Sequence, residues 1–233
     1  MMDKFVVKTI ERANQNMIDE YKELDVSTVY EAQGKVGLIS REIRPLQEGA
    51  FICGPAVTVV CYAGDNLMIH AAIEVCQPGD ILVVTTIGDS SAGMIGELIV
   101  MALQKRGVQG LIMDAGVRDV SRIKELGFPV WSKAISSEGT TKNRGGAVNS
   151  DAVLGGCFIQ PGDLILADDD GIVNVKKSDI DSSLELSKYR LQKEERTKEK
   201  IRRGELSLDF HGLREVLDQE NVVYYNSVHE LVK

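Results

Sequence analysis

Two short segments hold the residues best suited to chemistry, and each follows an apolar run. The first segment, GDSSAGMIGE from Gly88 to Glu97, leads into a helical pattern over Ile95–Lys105. A helix start presents free backbone N–H groups and a partial positive charge, which together favour anion binding. The segment lacks the Gly-Lys-Ser/Thr of a P-loop and the G-x-G-x-x-G fingerprint, so the sequence does not indicate nucleotide binding.

The second segment is DAGVRD, from Asp114 to Asp119, where Asp114 ends a predicted strand. Ligands of α/β folds gather at the carboxyl ends of strands. Arg118 can hold a carboxylate through two parallel hydrogen bonds, and Asp119 offers the hard oxygen ligands that Mg²⁺ or Mn²⁺ prefers. A structural alternative remains open at this point, in which Arg118 and Asp119 form an ion pair and Asp119 caps the next helix.

Other kinds of catalytic centre find little support in the residues present. The three histidines are far apart in sequence and the cysteines do not cluster, so a zinc site is not indicated. No Ser/His/Asp arrangement or G-x-S-x-G segment is present. Lys133 is the one candidate for a Schiff-base lysine, which would require burial; a surface or ion-paired lysine is the preferred interpretation.

The elements that would position these residues alternate between strands and helices, which predicts an α/β core. A helical pattern covers 7–24, and a short helix begins at Ser27 or Thr28 and ends near Gly34. Further helices are predicted at Leu67–Val75 and Val120–Leu126. The predicted strands are Ala56–Ala63, Ile81–Thr86, Gly110–Asp114, Phe128–Ser132, Val153–Ile159, Leu164–Ala167 and Ile172–Val175.

The remaining segments are predicted to be a loop, a turn and a long helix. Residues 136–150 are rich in Ser, Gly, Thr and Asn, which favours a loop. Asp168–Gly171 (DDDG) lacks the ligand spacing of an EF-hand and is interpreted as a hairpin turn. Residues 178–204 form one long, highly charged helix, whose thin apolar edge suggests packing on a neighbouring subunit. The sequence pattern of residues 206–233 does not predict where this segment packs.

The composition is that of an ordinary globular chain: 233 residues, 43% hydrophobic and 27% charged, with a formal charge of −8. The acidic balance argues against nucleic acid as the main partner. No run of about 20 apolar residues and no signal peptide are seen, so we expect a cytoplasmic protein without a membrane segment. The four cysteines, at 53, 61, 76 and 157, are predicted to be buried free thiols.

The spacing of Glu97, twenty residues and Arg118-Asp119 resembles the E/D-x20-R-D pattern of the RraA-like, class II pyruvate aldolase family. That family includes 4-hydroxy-4-methyl-2-oxoglutarate/4-carboxy-4-hydroxy-2-oxoadipate aldolases and the regulator of RNase E activity A. The similarity extends to GLIMDAGVRD at 110–119, GFPVWSKA at 127–134, and the PGD and DDDG segments at 161–163 and 168–171. It covers roughly residues 25–210.

The resemblance implies a three-layer β/β/α swivelling-type domain over residues 1–177, with a C-terminal helical extension over 178–233. It implies a homotrimer or homohexamer with sites between subunits. Backbone N–H groups of the four residues Gly96, Glu97, Leu98 and Ile99 would bind the pyruvyl carboxylate, and Arg118 would bind the substrate and its enolate. Asp119 would hold the divalent metal, Mg²⁺ or Mn²⁺, with Glu194 or Glu195 of a neighbouring subunit completing the site.

The activity implied is metal-dependent retro-aldol cleavage of a 4-hydroxy-2-oxo acid to pyruvate, as used in aromatic compound catabolism, with oxaloacetate decarboxylation as a side activity. Glu97 or Asp119 would orient the water that acts as base. Arg122 departs from the pattern, because some aldolases of the family carry an acid there. Two alternatives stay open: an RNase E-type regulatory binding protein, and another enolate-forming decarboxylase or lyase on the same site.

Overall fold

A computed structural model describes residues 3–231 of the chain. Its helices are α1 Gln15–Tyr21, α2 Val26–Ala32, α3 Leu67–Val75, α4 Glu97–Lys105, α5 Val120–Glu125, α6 Ile180–Arg202, α7 Ser207–Phe210 and α8 Leu213–Gln219. Its strands are β1 Phe5–Val6, β2 Arg44–Pro45, β3 Ile52–Tyr62, β4 Ile81–Ile87, β5 Gly93–Ile95, β6 Gly110–Val117, β7 Val130–Ile135, β8 Ala147–Val148, β9 Ala152–Leu154, β10 Cys157–Ile159, β11 Leu164–Ala167 and β12 Ile172–Val175. The chain divides into two compact units, one ending at Lys188 and the other beginning at Tyr189.

The first unit is built on a sheet whose central strands β3, β4, β6 and β7 run parallel in that order. Their residues are mostly buried, as expected for strands covered on both faces, and the exposed ones lie toward the carboxyl ends of β4 and β7. Strand β11 pairs antiparallel with both β3 and β12, and β5 pairs parallel with β6. Because the central strands are parallel, their carboxyl ends lie at one edge of the sheet.

The two faces of the central sheet carry separate apolar cores. One core packs side chains of β3, β4 and β6 against helices α3, α4 and α5, for example Ile69, Leu103 and Ile123. The other packs the opposite face against strands β9 to β12, and includes the fully buried Trp131. Helices, sheet and second β layer make up the three-layer β/β/α arrangement that the family resemblance implied.

The repeated Gln-Pro-Gly-Asp segments make the same turn at two strand entries. The buried carboxylate of Asp80 accepts a hydrogen bond from the Gln77 N–H at 2.7 Å, and Asp163 accepts one from the Gln160 N–H at 2.9 Å. The turn glycines, at 79 and 162, have φ of +94° and +86°, a region that favours glycine. The DDDG segment is the hairpin turn between β11 and β12, as predicted.

Several predicted boundaries are wrong. Residues 7–14 are extended or irregular, and the helix predicted over 7–24 begins at Gln15, where Asn14 caps it. Residues 153–159 are not one strand, because the glycines at 155 and 156, with φ of +52° and +81°, turn the chain into a hairpin. The predicted loop 136–150 contains the short strand β8, which pairs with β1 and β3.

The long predicted helix is present as α6, preceded by a short 3-10 turn at Lys177–Asp179. The division of the first and second units falls within α6, at residue 188. Its first turns bury Ile180, Leu184 and Ser187, whereas its later turns are largely charged. None of the helices in residues 3–231 is long and apolar enough to span a bilayer. All four cysteines are buried free thiols, which confirms that prediction.

Candidate functional site

The two segments singled out in the sequence lie side by side. Strand β5 pairs with the end of β6, with Gly93 opposite Gly116 and Ile95 opposite Val117. The Arg118 N–H continues this pairing by donating to the Ile95 carbonyl at 2.9 Å. The start of α4 and the Arg118-Asp119 pair therefore meet, although twenty residues separate Glu97 from Arg118. Strand β6 runs on to Val117, three residues past the end predicted at Asp114.

Gly96 lets the Asp119 carboxylate approach the start of α4. Asp119 Oδ2 accepts a hydrogen bond from the Glu97 N–H at 3.2 Å. A Cβ at Gly96 would lie 2.3 Å from that same oxygen and 3.1 Å from Arg118 Nε. The backbone of Gly96 is extended, with φ of −140°, so the requirement for glycine here comes from this contact and not from its dihedral angle.

Asp119 adopts a left-handed backbone conformation, with φ of +58°, at the position before α5. Such a conformation is uncommon for residues other than glycine. Its side chain makes no capping hydrogen bond to α5, so the capping alternative is wrong. The backbone turn instead aims the carboxylate back at the first turn of α4.

Arg118 and Asp119 line an open cleft of about 330 Å³ together with Ile135 and Ser136. Arg118 Nε lies 3.8 Å from Asp119 Oδ2, and the two side chains are 47% and 44% exposed. This contact is a loose ion pair that leaves the guanidinium available to an incoming carboxylate. Arg118 and Asp119 therefore form the ion pair that the structural alternative expected, and both side chains are exposed enough to contact a ligand.

The first turn of α4 contains three of the four residues whose N–H groups were expected to bind a carboxylate, and one of these N–H groups already has a partner. The Glu97 N–H is used by Asp119, and the first N–H to bond a helical carbonyl is that of Val100, which donates to Gly96. The N–H groups of Leu98 and Ile99 belong to the turn that a helix leaves without internal partners. The Leu98 side chain is 79% exposed.

Arg122 lies on α5 and is near enough to Glu97 for the two charges to interact. Its Nη1 donates to Glu125 Oε2 at 2.8 Å, and Glu125 and Glu97 both raise the pKa of its guanidinium. The residue that departs from the family pattern therefore has one carboxylate partner of its own and interacts electrostatically with Glu97.

Lys133 does not have the environment of a Schiff-base lysine. Its Nζ lies 2.6 Å from Asp89 Oδ1, and that hydrogen bond raises the pKa of the ammonium. A nucleophilic amine needs a lowered pKa and burial. The ion-paired interpretation is the one the structure supports.

Asp114 is a half-buried carboxylate, for which the sequence predicted only a position at the end of a strand. It accepts hydrogen bonds from Thr85 Oγ1 at 2.9 Å and from the Thr86 N–H at 3.1 Å. Burial raises its pKa, and these hydrogen bonds and Lys133 oppose that shift. Asp114 therefore ties β6 to the end of β4, just before the Gly88–Glu97 segment.

Glu194 and Glu195 lie on the charged part of α6, in the second unit. Glu194 pairs with Arg190 at 3.0 Å, and Glu195 pairs with Lys198 and Arg202. The hydrogen bond from Arg202 lowers the pKa of Glu195. Across residues 3–231, no three His, Cys, Asp or Glu side chains are grouped so that they could hold a metal ion.

A sequence model of the RraA-like family, described as Aldolase/RraA, matches residues 16–174. The chain belongs to the RraA-like family. A relative from Halalkalibacterium halodurans, named "Putative 4-hydroxy-4-methyl-2-oxoglutarate aldolase", is 28% identical over 177 residues, which cover 76% of this chain and 84% of the relative.

Solved structures share the RraA-like fold. An uncharacterized protein from Pseudomonas syringae pv. tomato superposes with a TM-score of 0.75 at 24% identity, over 84% of this chain and 97% of its own. Streptomyces coelicolor RraAS2, described as an unusual member of the RNase ES inhibitor RraA protein family, gives a TM-score of 0.74 at 26% identity, over 82% and 99%. The family therefore contains proteins named as aldolases and proteins named as ribonuclease inhibitors.

Proposed function

We propose that this RraA-like protein is a divalent-metal-dependent pyruvate aldolase that cleaves a 4-hydroxy-2-oxo acid, such as 4-carboxy-4-hydroxy-2-oxoadipate or 4-hydroxy-4-methyl-2-oxoglutarate. The observation that carries the proposal is the contact between the Asp119 carboxylate and the first turn of α4, with Arg118 beside it. This contact supports a site that would combine the start of α4 as an anion-binding group with the Arg118 guanidinium and the Asp119 carboxylate.

The helix start and Arg118 suit the two oxygen-rich ends of the pyruvyl group. The N–H groups of Leu98 and Ile99 can donate to its C1 carboxylate. Arg118 can donate to the 2-keto oxygen, where negative charge develops as the enolate forms, and a donor placed at developing charge accelerates a reaction more than one that only binds substrate.

Asp119 suits a hard cation that keeps most of its water. One carboxylate oxygen, Oδ2, is occupied by the Glu97 N–H, and the half-exposed side chain opens on the cleft. Mg²⁺ is commonly bound through one or two carboxylates together with waters and substrate oxygens. A site with one protein carboxylate fits this pattern, and Asp119 would hold the ion. When bound, the cation supplies Lewis-acid polarisation of the 2-keto oxygen.

The reaction breaks the C3–C4 bond of the substrate. The 4-hydroxyl loses its proton to a water that Glu97 or Asp119 orients, and C4 becomes the carbonyl carbon of the second keto acid. The electron pair of the broken bond forms the pyruvate enolate, which Arg118 stabilises and which takes up a proton at C3. Loss of CO₂ from oxaloacetate gives the same enolate, so we propose that the protein also decarboxylates oxaloacetate.

We propose a homotrimer or homohexamer in which a glutamate of a neighbouring subunit, Glu194 or Glu195, completes the cleft. The openness of the cleft supports this proposal, because enolate chemistry benefits when water is excluded. Arg122 adds positive charge near Glu97, which favours a more highly charged polycarboxylate as the substrate.

The test is pyruvate release by the wild type and by Arg118→Ala, Asp119→Ala and the matched control Lys124→Ala, which removes an exposed charge from the last turn of the neighbouring helix α5. We expect the first two variants to lose at least 100-fold in kcat/KM, since removal of one donor to a developing oxyanion costs about 10²–10³. The control should stay within threefold. Full activity in Arg118→Ala or Asp119→Ala would refute the site assignment.

The alternatives predict different outcomes. An enolate-forming decarboxylase would release pyruvate from oxaloacetate and leave the hydroxy-oxo acids uncleaved. A regulatory binding protein, as the likeness to RraAS2 suggests, would release none from any of these substrates and would bind a ribonuclease partner.

A further inference from the structure

The segment after α6, from Glu205 to Leu231, exposes nearly all of its apolar side chains; we refer to it as the tail. None of its residues is buried within the described structure. Four consecutive large side chains, from Val222 to Tyr225, are 47–69% exposed. Exposed apolar residues scattered singly are ordinary, but a contiguous group marks an interaction surface.

The tail lies outside the part of the chain that matches the family. The family match ends at residue 174. The two solved relatives are covered over 97% and 99% of their own length, yet they match only 84% and 82% of this chain. The tail is therefore not part of the α/β fold that this chain shares with its relatives.

The first unit carries an open groove of about 350 Å³ with apolar walls. The walls are Val36, Leu38 and Phe158, which are 59%, 48% and 50% exposed. The volume lies at the lower end of the range for ligand pockets, about 300–1,000 Å³, which suits an aromatic side chain better than a large ligand. The groove is formed by segments other than those of the Arg118–Asp119 cleft, so a role for it is independent of the proposed function.

The polar groups of the groove match a tyrosine on an acidic segment. Asn174, 3% exposed, lines the groove, and its Oδ1 has no hydrogen-bond partner within residues 3–231. A tyrosine offers an aromatic ring for the apolar walls and an O–H group for the polar side of the groove. Lys176 also lines the groove and forms no ion pair within the described residues, with Asp179 on the same rim. The tail carries six acidic side chains against one basic one.

We propose that the Tyr224–Tyr225 pair of one copy docks in the Val36–Leu38–Phe158 groove of a second copy. Each surface then covers the exposed apolar area of the other, and the acidic tail meets the Lys176 cation. The contact is heterologous, because two different surfaces of the same chain meet.

The experiment uses the full chain with p-benzoylphenylalanine at position 223, which leaves both tyrosines in place. Equal amounts of ¹⁴N- and ¹⁵N-labelled chains are mixed as dilute solutions, concentrated together and irradiated. We expect mixed-isotope cross-links to peptides that contain Val36–Leu38 or Cys157–Phe158. Cross-links within single chains only, cross-links to other peptides, or no cross-link would each overturn the proposal.

Substitutions give an independent measurement. Phe158→Ser, and separately the pair Tyr224→Ser and Tyr225→Ser, should raise the dissociation constant of the tail-dependent assembly by about tenfold or more in sedimentation equilibrium. Val153→Ser is the matched control, because this valine is 56% exposed on β9 and does not line the groove. An unchanged constant in the Tyr and Phe variants, or an equal loss in the control, would contradict the docking.

Discussion

The substitution Gly96→Ala should disable the candidate site while leaving the fold intact. The added Cβ would lie 2.3 Å from Asp119 Oδ2, whereas ordinary contact begins at 3.4 Å, so the carboxylate must retreat by about 1 Å. That displacement breaks its hydrogen bond with the Glu97 N–H. A misplacement of a reacting group by about 1 Å can cost about 100-fold in rate.

We therefore expect kcat/KM for pyruvate release to fall by about 100-fold. The assay couples pyruvate to lactate dehydrogenase and follows NADH absorbance. Since the Asp119 side chain is 44% exposed, the free energy of unfolding should change by less than about 1 kcal/mol, a shift of less than about 4 °C in Tm.

Gly139→Ala is the matched control, because a Cβ there meets no atom within 4 Å and its φ is not positive. It should retain full activity. If Gly96→Ala retained activity within threefold of the wild type, then the carboxylate position would not matter to the reaction, and the reasoning from this contact would be refuted.

Three single contacts each support a further prediction. Burial raises the pKa of the Asp114 carboxyl group, so the folded state binds the carboxyl proton more tightly than the unfolded state does. The free energy of unfolding should therefore fall as the pH rises from about 4 through the raised pKa. Asp114→Asn should flatten this part of the plot of Tm against pH, and parallel curves for variant and wild type would contradict the prediction. Lys133→Met should keep pyruvate release within threefold of the wild type, because the Lys133 ammonium is paired with Asp89. For the same reason, treatment of the wild type with pyruvate and borohydride should add no mass. A covalent adduct after this treatment would show that a lysine forms a Schiff base. Trp131→Phe should lower the free energy of unfolding by about 2 kcal/mol in urea titrations, since it leaves a buried space and removes the 3.0 Å hydrogen bond to the Asp168 carbonyl. A loss below about 0.5 kcal/mol would show that neither the packing of the indole ring nor this hydrogen bond contributes to stability.

The central strands could be predicted from the sequence because burial on both faces leaves continuous apolar runs, as in β4. Boundaries set by local backbone geometry could not. The hairpin of β9 and β10 depends on two glycines with positive φ inside an apolar stretch. The short strand β8 exists only because β1 and β3 supply its partners.

The candidate site residues could be located from the spacing of Glu97, Arg118 and Asp119. The contact between the start of α4 and Asp119 could not be predicted in this way. The pairing of β5 with β6 brings them together, and β5 is only three residues long. The left-handed backbone of Asp119 decides where its carboxylate points, and the residue type does not reveal it. The Asp114–Thr85 hydrogen bond joins neighbouring strands, so it could be anticipated only once the strand order was known.

The most direct test of the central claim is pyruvate release by the wild-type protein from 4-carboxy-4-hydroxy-2-oxoadipate and from oxaloacetate, measured with Mg²⁺, with excess EDTA, and after Mg²⁺ or Mn²⁺ is restored. We predict release from both substrates with the metal, loss with EDTA, and recovery when the metal returns, because in the proposed site Asp119 would hold the cation and Arg118 would stabilise the enolate. Release that survives EDTA, or no release from either substrate, would contradict the account.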